Sequence, residues 1–214
     1  MLRTEVPIPK RMKEMQRDKR GFPIPYIILR DKSGQPHFTI NDEEKRTECL
    51  VKRRCAVCGK HLEKTFWFVG GPMSAFHENG AYLDTALHQE CMEYALQVCP
   101  YLAAPRYQSR IDAKKLDPDL FDGYIMMNNT MIPGRPTVFV CVKTSDFTIM
   151  YNGYIRLQRP YLNIQYWDQS VRLSVEEGMK QGGLALKGES ITIDPKVVEA
   201  AEKTANEWLK KNKL

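Results

Sequence analysis

The chain has 214 residues, of which 43% are hydrophobic and 27% charged, and its formal net charge is +6. This length and apolar content permit a real hydrophobic core, in one compact domain or two modest ones. Six cysteines are too few and too unevenly spaced for a disulfide scaffold, and no apolar run is long enough to span a bilayer, so we expect a cytoplasmic protein without a membrane partner.

The excess positive charge lies at the N-terminus. Residues 1–36 have a net charge of +5, whereas the remainder of the chain is nearly balanced. Prolines at positions 7, 9, 23 and 25 favour extended backbone. We therefore predict that residues 1–36 form a basic extended arm and the start of a first hairpin. Such an arm can neutralise phosphates, or it can be a solvated surface segment.

Two strands and a helix are predicted before the first cysteine pair. Residues 26–29 and 37–40 have strand composition and could pair across the turn at residues 31–36. Asn41 is predicted to cap the following helix, with Glu44 completing a capping box at the third helical position. Basic residues 52–54 would lie at the negative end of the helix dipole.

The next segment carries two short pairs of metal-ligand residues. Cys55 and Cys58 form a C-x-x-C-G knuckle, in which Gly59 lets the backbone fold back. His88 and Cys91 are three residues apart at a predicted helix start and can therefore share one face. Four such ligands suit tetrahedral zinc with a structural role, because no position remains open for water. The alternatives are a redox dithiol and inert core thiols.

Between the pairs, residues 64–69 read as a strand, residues 70–72 as a turn and Asn79–Gly80 as a hairpin turn. Asp84 or Thr85 is predicted to cap the helix that carries His88 and Cys91, and Pro100 to end it. The aromatic residues 66–68 are expected in the core, with a base-stacking platform as the alternative. Cys49, Cys99 and Cys141 are expected to be free thiols.

Several of these motifs together resemble a family of uncharacterised bacterial and bacteriophage proteins. The resemblance rests on five runs over residues 7–110, which are G-F-P-I-P-Y from Gly21, R-C-A-V-C-G from Arg54, F-V-G-G-P-M from Phe68, H-Q-E-C-M-E-Y-A from His88 and C-P-Y-L from Cys99. Relatives often have Asn-Arg beyond the G-P-M turn, where this chain has Ser74-Ala75. The resemblance implies a phage or bacterial origin, and it carries no established activity.

Past residue 110 the pattern predicts strands at residues 137–143, 147–151, 154–157 and 162–167. Ser174 and Glu177 form a capping box for a short helix that stops near Gly182, and Asp194–Pro195 opens an amphipathic C-terminal helix. The predicted fold is α+β, a treble-clef-like zinc module joined to a small antiparallel sheet with a C-terminal helix. The zinc module would occupy residues 37–110, and residues 111–214 would pack on or beside it.

These features favour a non-enzymatic, zinc-stabilised binding protein of phage or mobile-element origin that acts on a host protein. The alternative is a nucleic-acid-binding protein that uses basic residues of the arm and the finger, namely Arg11, Lys13, Arg17, Lys19, Arg20, Lys52, Arg53, Arg54, Lys60 and Lys64. A second alternative is a metal-dependent nuclease using His61 or His77, although neither has the expected acidic or histidine partner beside it.

Overall fold

A computed structural model describes residues 5–77, 79–103, 136, 138–150 and 153–188. Its mixture of helices and antiparallel sheets confirms the predicted α+β class. The helix predicted after Asp194 lies outside the described residues. In the ranges that are described, no helix has both the length and the apolar content required to cross a bilayer.

The first hairpin consists of β1 (Ile28–Arg30) and β2 (Pro36–Asn41), which pair antiparallel as predicted. The following helix, α1 (Glu43–Val51), is capped by Asp42 instead of Asn41, because the Asp42 carboxylate accepts a hydrogen bond from the Lys45 backbone N–H at 3.1 Å. This shift of one residue places Lys45 at the third helical position. The predicted capping box with Glu44 is therefore wrong, and an ion pair between Lys45 and Asp42 takes its place.

Strand β3 (Phe66–Gly70) is followed by the short helix α2 (Pro72–Phe76), then by α3 (Gln89–Val98) and α4 (Pro100–Ala103). The turn at Asn79–Gly80 follows α2 and does not join two neighbouring strands, so the hairpin predicted there is wrong. A Cβ at Gly80 would lie 2.4 Å from the Ser74 carbonyl oxygen, which explains the glycine. Helix α3 begins at Gln89, with His88 at the N-cap position and no side-chain capping hydrogen bond, so the predicted caps Asp84 and Thr85 are wrong.

The central sheet is antiparallel, with β3 beside β4 (Phe139–Thr144), then β7 (Asn163–Asp168) and β8 (Val171–Arg172). A separate hairpin joins β5 (Phe147–Ile149) to β6 (Ile155–Leu157). Strand β3 lies between the two predicted ligand pairs in the chain, and β4 lies in the C-terminal segment. Because these two strands pair, the sheet connects the segment of the predicted metal ligands to the C-terminal segment.

Both faces of the central sheet are buried. Trp67, Phe139, Cys141 and Trp167 face the N-terminal segment and α3, and they form a core with Met12, Ile24 and Met92. The opposite face packs against α2, Tyr82 and Ile155, and it is lined by Phe66, Phe68, Val138, Val140, Val142 and Tyr166. The aromatic residues 66–68 are thus core residues, as predicted. Burial on both faces explains the continuous apolar run at 138–142.

Arg46 links α1 to two distant segments, although no sequence signal marked it. The side chain is 9% exposed, and its guanidinium donates to the Leu83 carbonyl at 3.0 and 3.2 Å and to the Gly153 carbonyl at 2.6 Å. The fork of guanidinium donors satisfies two backbone acceptors that are far apart in sequence. Arg46 thereby fixes α1 against both the segment before α3 and the β5–β6 hairpin.

Helix α5 (Val175–Gly188) begins with the predicted capping box. The Ser174 hydroxyl accepts from the Glu177 backbone N–H at 3.2 Å, and the Glu177 carboxylate accepts from the Ser174 N–H at 3.2 Å. The helix continues past Gly182, so the predicted stop there is wrong. Gly178 instead permits close packing, since a Cβ at this position would lie 2.1 Å from the Tyr166 ring.

Replacement by alanine should affect the stability of the protein differently at two glycines of α5. Gly178→Ala should lower the free energy of unfolding by about 1–3 kcal/mol, because the new methyl group overlaps the Tyr166 ring. At Gly182 a Cβ would have its nearest neighbours at 3.9 Å, so Gly182→Ala should be neutral or stabilising by up to about 1 kcal/mol. Urea denaturation of the two variants checks this, and equal stabilities would contradict it.

Candidate metal centre

The knuckle that carries Cys55 and Cys58 is closed by its own backbone. The Gly59 N–H donates to the Cys55 carbonyl at 2.8 Å, and the Cys55 N–H donates to the Lys60 carbonyl at 2.9 Å. Gly59 has φ +69°, and a Cβ there would lie 2.8 Å from the Tyr26 ring. Both the left-handed backbone and the close ring require glycine at this position.

The second ligand pair lies at the start of α3. His88 is the N-cap residue, and Cys91 lies in the first turn, so both side chains project from one end of the helix. The preceding residue, Leu87, exchanges backbone hydrogen bonds with Trp67 of β3 at 2.8 and 2.9 Å. The sheet therefore holds the start of α3 in place opposite the knuckle.

The four predicted ligands converge in the structure. The Sγ atoms of Cys55, Cys58 and Cys91 and a ring nitrogen of His88 all lie within 4.8 Å of one another. Cys55 and Cys91 have no exposed surface and His88 is 4% exposed, whereas Cys58 is half-buried. This cluster could hold a metal ion, and its sulfur-rich donor set is one that zinc accepts.

Hydrogen bonding orients the His88 ring. Its Nε2–H donates to the His61 carbonyl at 2.9 Å, and Nδ1 lies 3.3 Å from the Cys58 sulfur. A backbone acceptor on Nε2 directs Nδ1 towards the cluster, which is the usual way a protein fixes a ligand histidine. The residue that supplies this acceptor was not predicted, because a backbone carbonyl leaves no residue-type signal in a sequence.

The donors also change one another's protonation. Hydrogen bonds from Cys55, Cys91 and His88 lower the pKa of Cys58 well below its usual range, and the same contacts with Cys55 and Cys58 raise that of Cys91. Burial lowers the pKa of His88, but hydrogen bonds to Cys55 and Cys58 outweigh it and give a pKa of about 10. Without an ion, the cluster thus keeps protons on His88 and Cys91 at neutral pH.

Other histidines and cysteines stay outside the cluster. The His61 side chain is exposed, and the His77 ring accepts a hydrogen bond from the Asn79 N–H at 3.1 Å. Cys49 and Cys141 are buried free thiols, and Cys99 is half-buried.

Half of the ten basic residues proposed for nucleic-acid contact are engaged in ion pairs within the protein. Arg11 pairs with Glu90 and Glu63, Arg20 with Asp18, Arg53 with Asp146, and both Lys52 and Arg54 with Glu48. Within the described part of the chain the remaining five, Lys13, Arg17, Lys19, Lys60 and Lys64, have no acidic partner, and all five are exposed.

Comparison with protein-family models, curated proteins and solved structures finds no match for this chain. The resemblance to bacterial and bacteriophage proteins therefore stays an expectation that rests on the short motifs. What can be said of the site comes from its geometry.

Because His88 and Cys91 carry protons that a metal ion must displace, metal affinity should fall as the pH is lowered. Each pH unit between 6 and 8 should change the affinity by about a hundredfold if two protons are released. Competition with a chromophoric chelator for Zn²⁺ across this range measures the slope. An affinity that does not change with pH would contradict the assignment of these ligands.

Proposed function

We propose that the protein is a non-enzymatic binding protein whose fold is held by one structural zinc ion on Cys55, Cys58, His88 and Cys91. The observation that carries this proposal is the convergence of four protein donors within 4.8 Å. Four donors complete a tetrahedral shell, and closed shells of this kind are structural. A catalytic zinc keeps one position for water or substrate, so the donor set argues against a metal-dependent nuclease at this centre.

The proposed module is treble-clef-like. Its parts are the knuckle, the antiparallel bridge between Trp67 and Leu87, and helix α3 with ligands at its start. Helix α2 lies in the connection between the two bridged residues. Modules of this kind present surfaces to other macromolecules, and the resemblance to bacteriophage proteins makes a host protein the expected partner.

Metal analysis tests the structural role. The purified chain should contain one zinc per molecule, and Cys58→Ser should lose it, together with the folding free energy of order 10 kcal/mol that structural zinc can supply. Cys99→Ser is the matched control, since Cys99 is also half-buried but lies outside the cluster. Full zinc retention and an unchanged melting temperature in Cys58→Ser would overturn the proposal.

Nucleic-acid binding is a second candidate, favoured by the five exposed cations without acidic partners. Lys13, Arg17 and Lys19 lie close together in sequence, and exposed cations of this kind can release counterions from a phosphate backbone. Arg53 and Arg54 are poor test positions, because their guanidinium groups pair with Asp146 and Glu48.

A gel-shift series over salt concentration distinguishes the two candidates. If nucleic acid is bound, replacing Lys13, Arg17 and Lys19 by glutamine should reduce the slope of log affinity against log salt by about 2–3. Replacing Arg156, Arg172 and Lys180, three exposed cations elsewhere, removes the same charge and should leave the slope unchanged. The absence of any shift at low salt would remove this candidate.

A further inference from the structure

We propose that a pocket between the N-terminal hairpin (residues 16–24) and helix α1 binds an acidic peptide segment of a partner protein, with one large apolar side chain of that segment inserted. This inference rests on the proposed protein-binding function and names the partner chemistry. The pocket has a volume of about 300 Å³, at the lower end of the range of ligand sites and suited to one side chain with adjoining backbone.

Part of the pocket wall is apolar. Met15 and Ile24 come from the N-terminal segment, and Val57 comes from the knuckle. Ile24 and Val57 belong to the core that surrounds the metal ligands, while Met15 packs at its edge. An apolar side chain entering here would continue an existing core, and methionine adapts its shape to different occupants.

The rim of the pocket is positive. Arg30 and Lys45 line it, and Arg17 and Lys19 lie on the hairpin that supplies Gln16 and Ile24 to its wall. The Arg30 guanidinium donates to the Gly34 carbonyl at 3.3 Å and has no acidic partner among the described residues. The Lys45 ammonium forms an ion pair with the Asp42 carboxylate at 3.1 Å. Carboxylates flanking the inserted side chain would complement this rim.

Hydrogen bonds connect the residues that form the pocket walls. Tyr26 donates its hydroxyl hydrogen bond to Glu48, and the Lys45 ammonium lies 5.9 Å from the centre of the Tyr26 ring. The hairpin is closed by the Ile24 N–H, which donates to the Gln16 carbonyl at 2.8 Å, and by Asp18, which accepts from the Phe22 N–H at 3.0 Å. A preformed pocket loses little entropy on binding, which favours an interaction with a short peptide.

The aromatic rings near this surface do not form an open stacking platform. The Arg20 guanidinium lies 5.6 Å from the centre of the Phe22 ring and 5.5 Å from that of Phe38, so both rings already have a cation over them. Single-stranded nucleic acids gain affinity from bases stacked on such rings. The aliphatic wall formed by Met15, Ile24 and Val57 therefore fits an apolar side chain better than a base.

The proposal is tested by peptide display. A library of random twelve-residue peptides is selected for binding to the zinc-loaded full chain. Selected sequences should combine a large apolar residue with at least two acidic residues. Fluorescence anisotropy of the best peptide should show about fivefold to tenfold weaker binding to Arg30→Gln/Lys45→Gln, as expected for the loss of two partly exposed charge pairs. Arg156→Gln/Lys180→Gln, which removes the same charge from other exposed positions, should bind as the wild type.

Three results would overturn the pocket assignment. The first is that the selected peptides contain no acidic residues, and the second is that the peptide binds the wild type and the Arg30→Gln/Lys45→Gln variant with equal affinity. The third is that a single-stranded oligonucleotide binds the wild type and does not bind this variant. Far-ultraviolet circular dichroism and zinc content of the variant exclude a folding defect as the cause of weaker binding. Failure of the proposed function is recognised separately, through zinc retention in Cys58→Ser.

Discussion

The convergence of three sulfurs and one imidazole organises the structure around the candidate centre. The knuckle is connected to two other segments, because Val57 and Ala56 accept backbone hydrogen bonds from Tyr26 and Ile27, and the Ala56 N–H donates to the Ala86 carbonyl. The elements involved are short, and short elements of this kind have little stability alone. A metal bound by both ligand pairs would add a further connection between the knuckle and the start of α3.

The central sheet connects the segment of the candidate metal ligands to the C-terminal segment. Trp67 faces the core around the metal ligands, while its neighbours Phe66 and Phe68 face the opposite core. Strand β3 therefore contributes to both cores at once, and β4 pairs with it along its full length from Phe66 to Gly70. If the proposed zinc ion stabilises the first of these cores, its loss would expose one face of this sheet, and the consequences would extend beyond the knuckle.

Sequence patterns predicted some of the features that depend on neighbours along the chain, although the capping box at Asn41 and the hairpin at Asn79–Gly80 were wrong. The capping box at Ser174 and the hairpin of β1 and β2 rest on local chemistry, and both were found. The end of α5 was missed because Gly182 was read as a helix stop, whereas the helix continues to Gly188 and packs against α2 and β7, contacts that are set by tertiary structure. The roles of Arg46 and the His61 carbonyl were missed for the same reason, since their partners are distant in sequence.

The position of the pocket has a thermodynamic consequence. Its wall includes Cys58, the half-buried member of the ligand cluster, and Val57, whose carbonyl accepts the Tyr26 hydrogen bond. If metal binding orders the knuckle, it also orders this wall. Metal binding would then raise the affinity of the pocket for its ligand by some factor. By thermodynamic linkage, ligand binding must raise the affinity of the cluster for metal by the same factor. If both proposals hold, the two sites are coupled through residues 57 and 58.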